Sequence, residues 1–111
     1  MKLADLIKEL SLEVKSCKND LEKDVTGGYT SDLLSDVLAN ASQDSIWITL
    51  QTHPNIVAIA SVKGLAGVII VGGKQPQEET LKKAEAEKVM IMTSDRYSFE
   101  VAGKMYQLLA K

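Results

Sequence analysis

The chain of 111 residues is poor in several residue types, and each scarcity excludes something. One cysteine, Cys17, excludes an intrachain disulfide and every Cys-x-x-Cys redox or metal motif. With no histidine beside it, Cys17 reads as an ordinary side chain in a reducing compartment. One histidine, His53, leaves no His-Glu-x-x-His pair for a zinc ion, so no metal site is expected. Of thirteen basic residues only Arg96 is an arginine, which removes the guanidinium clamp that grips phosphates with two parallel bonds. An anion site here must rely on lysine or on backbone N–H groups. Fifteen acidic residues outweigh the basic ones and leave a formal net charge of −2. That balance speaks against a nucleic-acid partner, which draws a basic surplus. The longest apolar stretch, Leu65 to Val71, is far short of the roughly 20 residues a membrane span needs. Met1 to Leu10 alternates charge with Leu and Ile and lacks the unbroken apolar core of a signal peptide, so a cytoplasmic chain is expected.

What is present is the composition of an ordinary folded domain, 45% apolar and 25% charged, and residues 1–111 read as one domain. Leu3, Leu6, Ile7 and Leu10 share one face of a short helix. Leu12 to Lys15 alternates as a brief strand. Asp24 to Tyr29 reads as a strand running into a glycine-rich corner, with Ser31 or Asp32 capping a helix that carries Leu33, Leu34, Val37, Leu38 and Ala41. Ser45 to Leu50 is rich in β-branched residues and reads as a strand. Pro54 suits the first turn of the next helix. Ile56 to Val62 is apolar on all sides, which predicts burial between layers or against a partner subunit. Ala66 to Val71 predicts a strand covered on both faces. Pro76 to Lys88 is a charged helix with a thin stripe at Leu81 and Ala84, and its Glu78-Glu79 and Lys82-Lys83 run predicts a solvent face. Val89 to Thr93 is the last strand, and Ser94 or Ser98 caps a final helix. Strict alternation from Val25 onward predicts an α/β fold: a mostly parallel sheet of about five strands with helices packed on it.

In such sheets ligands bind beyond the carboxyl ends of the strands. The loops expected there hold the candidate ligand-binding residues Thr26, Gly27, Gly28, Ser31 and Asp32, then Gln51, Thr52, His53 and Asn55. Glycines admit a ligand close to the backbone, and helix N-termini offer unpaired N–H groups. The spacing at Gly27-Gly28 matches neither a P-loop nor a dinucleotide fingerprint. His53 with Asp32 is the one pairing that could do acid–base work, and the alternative reading is a small hydrolase or phosphotransferase that uses it; such work also needs a nucleophile within reach, and no catalytic residue is assigned. Asp32 and Asp36, four apart, read as a solvated helix face. No cofactor is expected.

Asp24-Val25-Thr26-Gly27-Gly28 resembles the segment that names the DRTGG domain family, with Val25 where the name has arginine. The resemblance extends through Gly27 to Val37, through Trp47 to Ala58, and to the apolar strand ending at Gly72-Gly73, so it covers nearly the whole chain. It implies a fold similar to the N-terminal domains of HPr kinase/phosphorylase and of Mur ligases. It also implies a regulatory or assembly module, of the kind found beside phosphotransacetylase domains or between the CBS domains of pyrophosphatases. Stand-alone members occur near iron-only hydrogenase subunits, which implies a partner enzyme of that kind. Together these readings predict a non-enzymatic regulatory module, homodimeric, that senses a small anionic ligand such as a nucleotide or phosphometabolite.

Overall fold

The computed structural model describes residues 1–110. Its elements run α1 (Leu3–Leu10), β1 (Glu13–Val14), β2 (Gly27–Thr30), α2 (Leu34–Asn40), β3 (Ser45–Thr49), α3 (Asn55–Lys63), β4 (Gly67–Ile70), α4 (Glu78–Glu87), β5 (Ile91–Thr93) and α5 (Ser98–Leu109). The sheet order is β1-β5-β4-β3-β2. Strands β2 to β5 are parallel, and only β1 runs against its neighbour. The expected architecture is therefore present, with one antiparallel edge added by the N-terminal segment.

Strand alternation divides the core in two, because successive side chains leave a strand on opposite faces. Ile46, Ile48, Ile69 and Met92 point to the face covered by α1 and α5. Trp47, Val68, Ile70 and Ile91 point to the face covered by α2, α3 and α4. The central strands β3 and β4 are buried at every position, as their unbroken apolar sequence predicts. From β2 to β5 the sheet always grows in the same direction. Crossovers of one hand then place α2, α3 and α4 on a single face. The chain crosses to the opposite face only after β5, where α5 runs back over β3 and β2 and meets α1.

Several expectations change. Gly27 and Gly28 are not a corner: they form the first half of strand β2, paired with Ser45 and Ile46. The bend comes later, at Ser31 to Leu33. Neither Ser31 nor Asp32 caps α2, whose N-cap is Leu33 and has no side-chain capping bond. Asp32 therefore lies outside the helix that carries Asp36. Ser94 and Ser98 do not cap α5 either: its N-cap is Tyr97, and the Ser94 hydroxyl instead accepts from the Arg96 N–H. Helix α3 is covered by its own chain. It buries Ile56, Val57 and Ala60 against the sheet and touches α2 and α4, leaving Val62 as its one strongly exposed apolar side chain. A partner subunit is not needed to account for its apolar sequence.

The loop before β2 is anchored to α1. Leu3 and Ala4 donate to the carbonyls of Lys23 and Leu21, and Val25 donates to the carbonyl of Met1. Val25 is buried in the α1–α5 core, so the position where the DRTGG name has arginine is here a packing position.

Candidate functional site

Strand β2 ends the sheet, so one side of its backbone has no strand neighbour. Helix α5 lies across it. Close approach is possible because Gly28 has no side chain: a Cβ there would collide with the Met105 methyl group. Gly27 has no such constraint, since its Cβ would come only within 4.0 Å of Ser45. Between β2 and α5 runs a groove of about 450 Å³, floored by Thr26, Gly27, Gly28 and Thr30 and walled by Met105 and Tyr106. It combines two hydroxyls, bare backbone and one exposed aromatic ring with an apolar lining of Ile48, Ala102, Met105 and Leu109. Lys104 lies beside it, lining the adjoining hollow that shares Thr30 and Tyr106.

Three of the nine residues expected to bind a ligand, Thr26, Gly27 and Gly28, line this groove. The other six sit around the carboxyl ends of the strands, and many of their polar atoms are engaged by the protein itself. The Asp32 carboxylate accepts from the Thr49 hydroxyl and from the Leu50 N–H, both at 2.8 Å, tying the β2 loop to the end of β3. Gln51 reaches back to the Asp32 carbonyl at 2.7 Å. Ser31 holds the turn by accepting from the Leu33 N–H, and its carbonyl takes the indole N–H of Trp47. The Thr52 carbonyl receives the Thr80 hydroxyl and the Gln77 N–H, which fastens α4 to the loop after β3. His53 Nδ1 accepts from the Asn55 N–H at 3.0 Å, satisfying one of the free donors at the start of α3. His53 is exposed, and no hydrogen bond or ion pair joins it to Asp32. The two residues have separate structural jobs.

The topology directs attention to one further place. Adjacent strands β4 and β5 send their following helices to opposite faces of the sheet, which is where an open α/β sheet forms its crevice. Here the crevice is stitched shut. Gly72 and Gly73, both with positive φ, donate to the carbonyls of Arg96 and Ser94. Tyr97 and Leu50 close over Gly72.

Sequence reasoning missed one polar cluster. Tyr29 leaves β2 on the α2 side and donates to Asp36 at 2.7 Å, and Asn40 donates to the same oxygen at 2.9 Å. The Tyr29 hydrogen bond, with others from Ser31 and Asn40, lowers the Asp36 pKa. The same bond to Asp36 raises that of Tyr29. The four-residue spacing of Asp36 and Asn40 was the visible signal, whereas the partner on β2 needed the fold. Cys17 is partly buried over α4. Burial and the neighbouring Glu85 carboxylate push its thiol pKa up, which opposes nucleophilic reactivity. Among the described residues no group of three or more His, Cys, Asp or Glu side chains could hold a metal ion. Among the described residues no helix is long and apolar enough to cross a membrane.

No protein-family model matches the chain, and no curated protein matches it. A solved structure does: the CBS and DRTGG domains of the regulatory region of Clostridium perfringens pyrophosphatase, complexed with its activator, diadenosine tetraphosphate. The two share 18% identity at a TM-score of 0.72, over 95% of this chain and 46% of that one. This chain thus spans about half the length of that regulatory region. At that identity the likeness is one of fold, and the fold is that of a DRTGG-like domain.

Proposed function

We propose that this protein is a non-enzymatic regulatory module that works as a homodimer and reads a small anionic ligand, a nucleotide or phosphometabolite, for a partner protein. The observation that carries the reading is the groove between β2 and α5. It offers a flat aromatic ring, hydroxyls and an unpaired strand edge, with Lys104 close by to meet a phosphate. A base can stack on Tyr106, and ribose or phosphate oxygens can take hydrogen bonds from Thr30 and from backbone N–H groups. The fold shared with a regulatory region that binds a dinucleotide activator supports the same reading. So does the resemblance to DRTGG domains, which also relates the fold to the N-terminal domain of HPr kinase/phosphorylase and suggests a hydrogenase-related enzyme as the partner.

The test is a thermal-shift and calorimetric screen of the purified protein against adenine and guanine nucleotides, dinucleoside polyphosphates and sugar phosphates. A ligand at 100 times its Kd is expected to add about 2.7 kcal/mol to stability. Tyr106→Ala should weaken it about tenfold or more, the worth of one stacking contact, while His53→Ala should leave it unchanged. The absence of a shift with every compound, or binding that ignores Tyr106, would remove the groove from consideration.

A further inference from the structure

Helix α5 carries a face that its own chain does not cover. Phe99 is 94% exposed and Tyr106 is 75% exposed. Gly103 lies between them at helical spacing, on the same face, with Ala102 and Ala110 beside it. Gly103 has no explanation inside the chain. Its φ is not positive, and a Cβ placed on it would meet no atom within 4 Å. A glycine in the interior of an exposed helix costs about 1 kcal/mol relative to alanine. Gly28 and Gly72, by contrast, each answer to a close neighbour or a left-handed backbone. A glycine without an internal reason, flanked by two uncovered aromatic rings, fits a second backbone passing close by.

We propose that the second backbone is α5 of another copy of this chain, crossing antiparallel about a two-fold axis near Gly103. This rests on the dimer reading given above and names its surface; Tyr106 and Lys104 also border the groove, so a ligand stacked on Tyr106 and the second copy exclude one another, and ligand binding is expected to favour the monomer. The face is self-complementary. In the register that sets Phe99 against Tyr106 of the second copy, Tyr106 meets the other Phe99, and Glu100 stands opposite Lys104 twice over. A two-fold axis brings like flanks together, so the opposite charges four residues apart pair across it. Within one chain Lys104 is only loosely joined to Glu100, at 3.9 Å, and Arg96 holds the same carboxylate oxygen at 3.1 Å, so the second copy's Lys104 would add to that exposed pair. The glycine and alanines let the helices approach, and the aromatic rings supply the buried anchors that dominate most interfaces. Helix α3, whose apolar sequence invites the same role, is already packed between α2 and α4.

The experiment combines sedimentation with disulfide trapping on the full chain. Wild type is titrated by analytical ultracentrifugation beside Phe99→Asp. Gly103→Cys and, as control, Val62→Cys on α3 are made on a Cys17→Ser background and oxidised mildly. The expected result is a wild-type dimer, a dimer weakened about tenfold or more by Phe99→Asp, and a covalent dimer from Gly103→Cys but not from Val62→Cys. Both substituted positions are exposed, and circular dichroism confirms that the variants are folded. A wild-type dimer unaffected by Phe99→Asp, with no cross-link at position 103, overturns the α5 interface and leaves the dimer reading standing. A wild-type monomer throughout the titration overturns both, and leaves the ligand screen of the groove to be judged separately.

Discussion

At Gly28 a side chain would run into Met105, whereas at Gly27, one residue earlier, there is room for a methyl group. Gly28→Val is therefore expected to destabilise the fold by about 1–3 kcal/mol, because it overpacks the contact between β2 and α5. Gly27→Ala should change stability by less than about 1 kcal/mol. Urea unfolding of the two variants separates a packing glycine from an incidental one, and equal effects would contradict this assignment. The Tyr29–Asp36 hydrogen bond makes a pH-dependent prediction. Its carboxylate has a folded pKa below the usual 3.8. The bond thus contributes stability that is present above that value and is lost as pH falls through the lowered folded pKa. Tyr29 is raised above 10.0, so its contribution is present below pH 10 and is lost as pH rises through the raised folded pKa. Tyr29→Phe should therefore be less stable than wild type at neutral pH, and the gap should close in strong acid. A gap that stays constant from neutral pH into strong acid would show that the hydrogen bond carries none of it.

Individual elements are held by contacts that propensity does not describe. Strand β1 has two residues and would make a weak edge on its own. Ser16, fully buried just after it, donates to the Val89 carbonyl at 2.8 Å and accepts from the Ile91 N–H at 2.7 Å, which pins this edge to β5. Ser16→Ala leaves both groups buried without that partner and is expected to cost about 1–3 kcal/mol. Hydrogen exchange should speed up first at Ile91 and along β1, and uniform change across the sheet would argue against a local clasp. At the start of α3, His53→Ala removes the exposed side-chain acceptor of the Asn55 N–H and should cost about 0.5–1 kcal/mol, with ligand affinity unchanged. Loss of binding without loss of stability would instead return His53 to the site. These element-level contacts were only partly legible. The extents of β3, α3, β4 and α4 followed from apolar runs and period, because burial on one or both faces writes itself into local sequence. The position of β2 did not, because glycines in a strand signal a turn until the helix that presses on them is known.

Taken as a whole, the molecule is a sheet with two unequal coats, three helices on one face and two on the other. Trp47, the only tryptophan, stands in the middle of β3 with no exposed surface, and its N–H is held by the Ser31 carbonyl. Its fluorescence should report the fate of the entire sheet. Unfolding followed by Trp47 emission and by far-ultraviolet circular dichroism is expected to give one midpoint, as for a two-state domain of this size. Separate midpoints would show that the α1–α5 side and the α2–α4 side unfold independently. By itself, the sequence determined the class of fold, the order of elements, the buried central strands and the lack of a zinc or disulfide motif. Those properties depend on residue counts and on periodicities of two and 3.6, which are local. Tertiary structure alone decided that Gly28 serves a helix contact. It also closed the crevice between β4 and β5 with backbone bonds, set Asp32 and His53 to separate tasks, and left the aromatic face of α5 open. Each of these depends on which distant segments meet. In a sheet that grows one way and then sends its last helix back across, that meeting is set by topology and is not written in neighbouring residues.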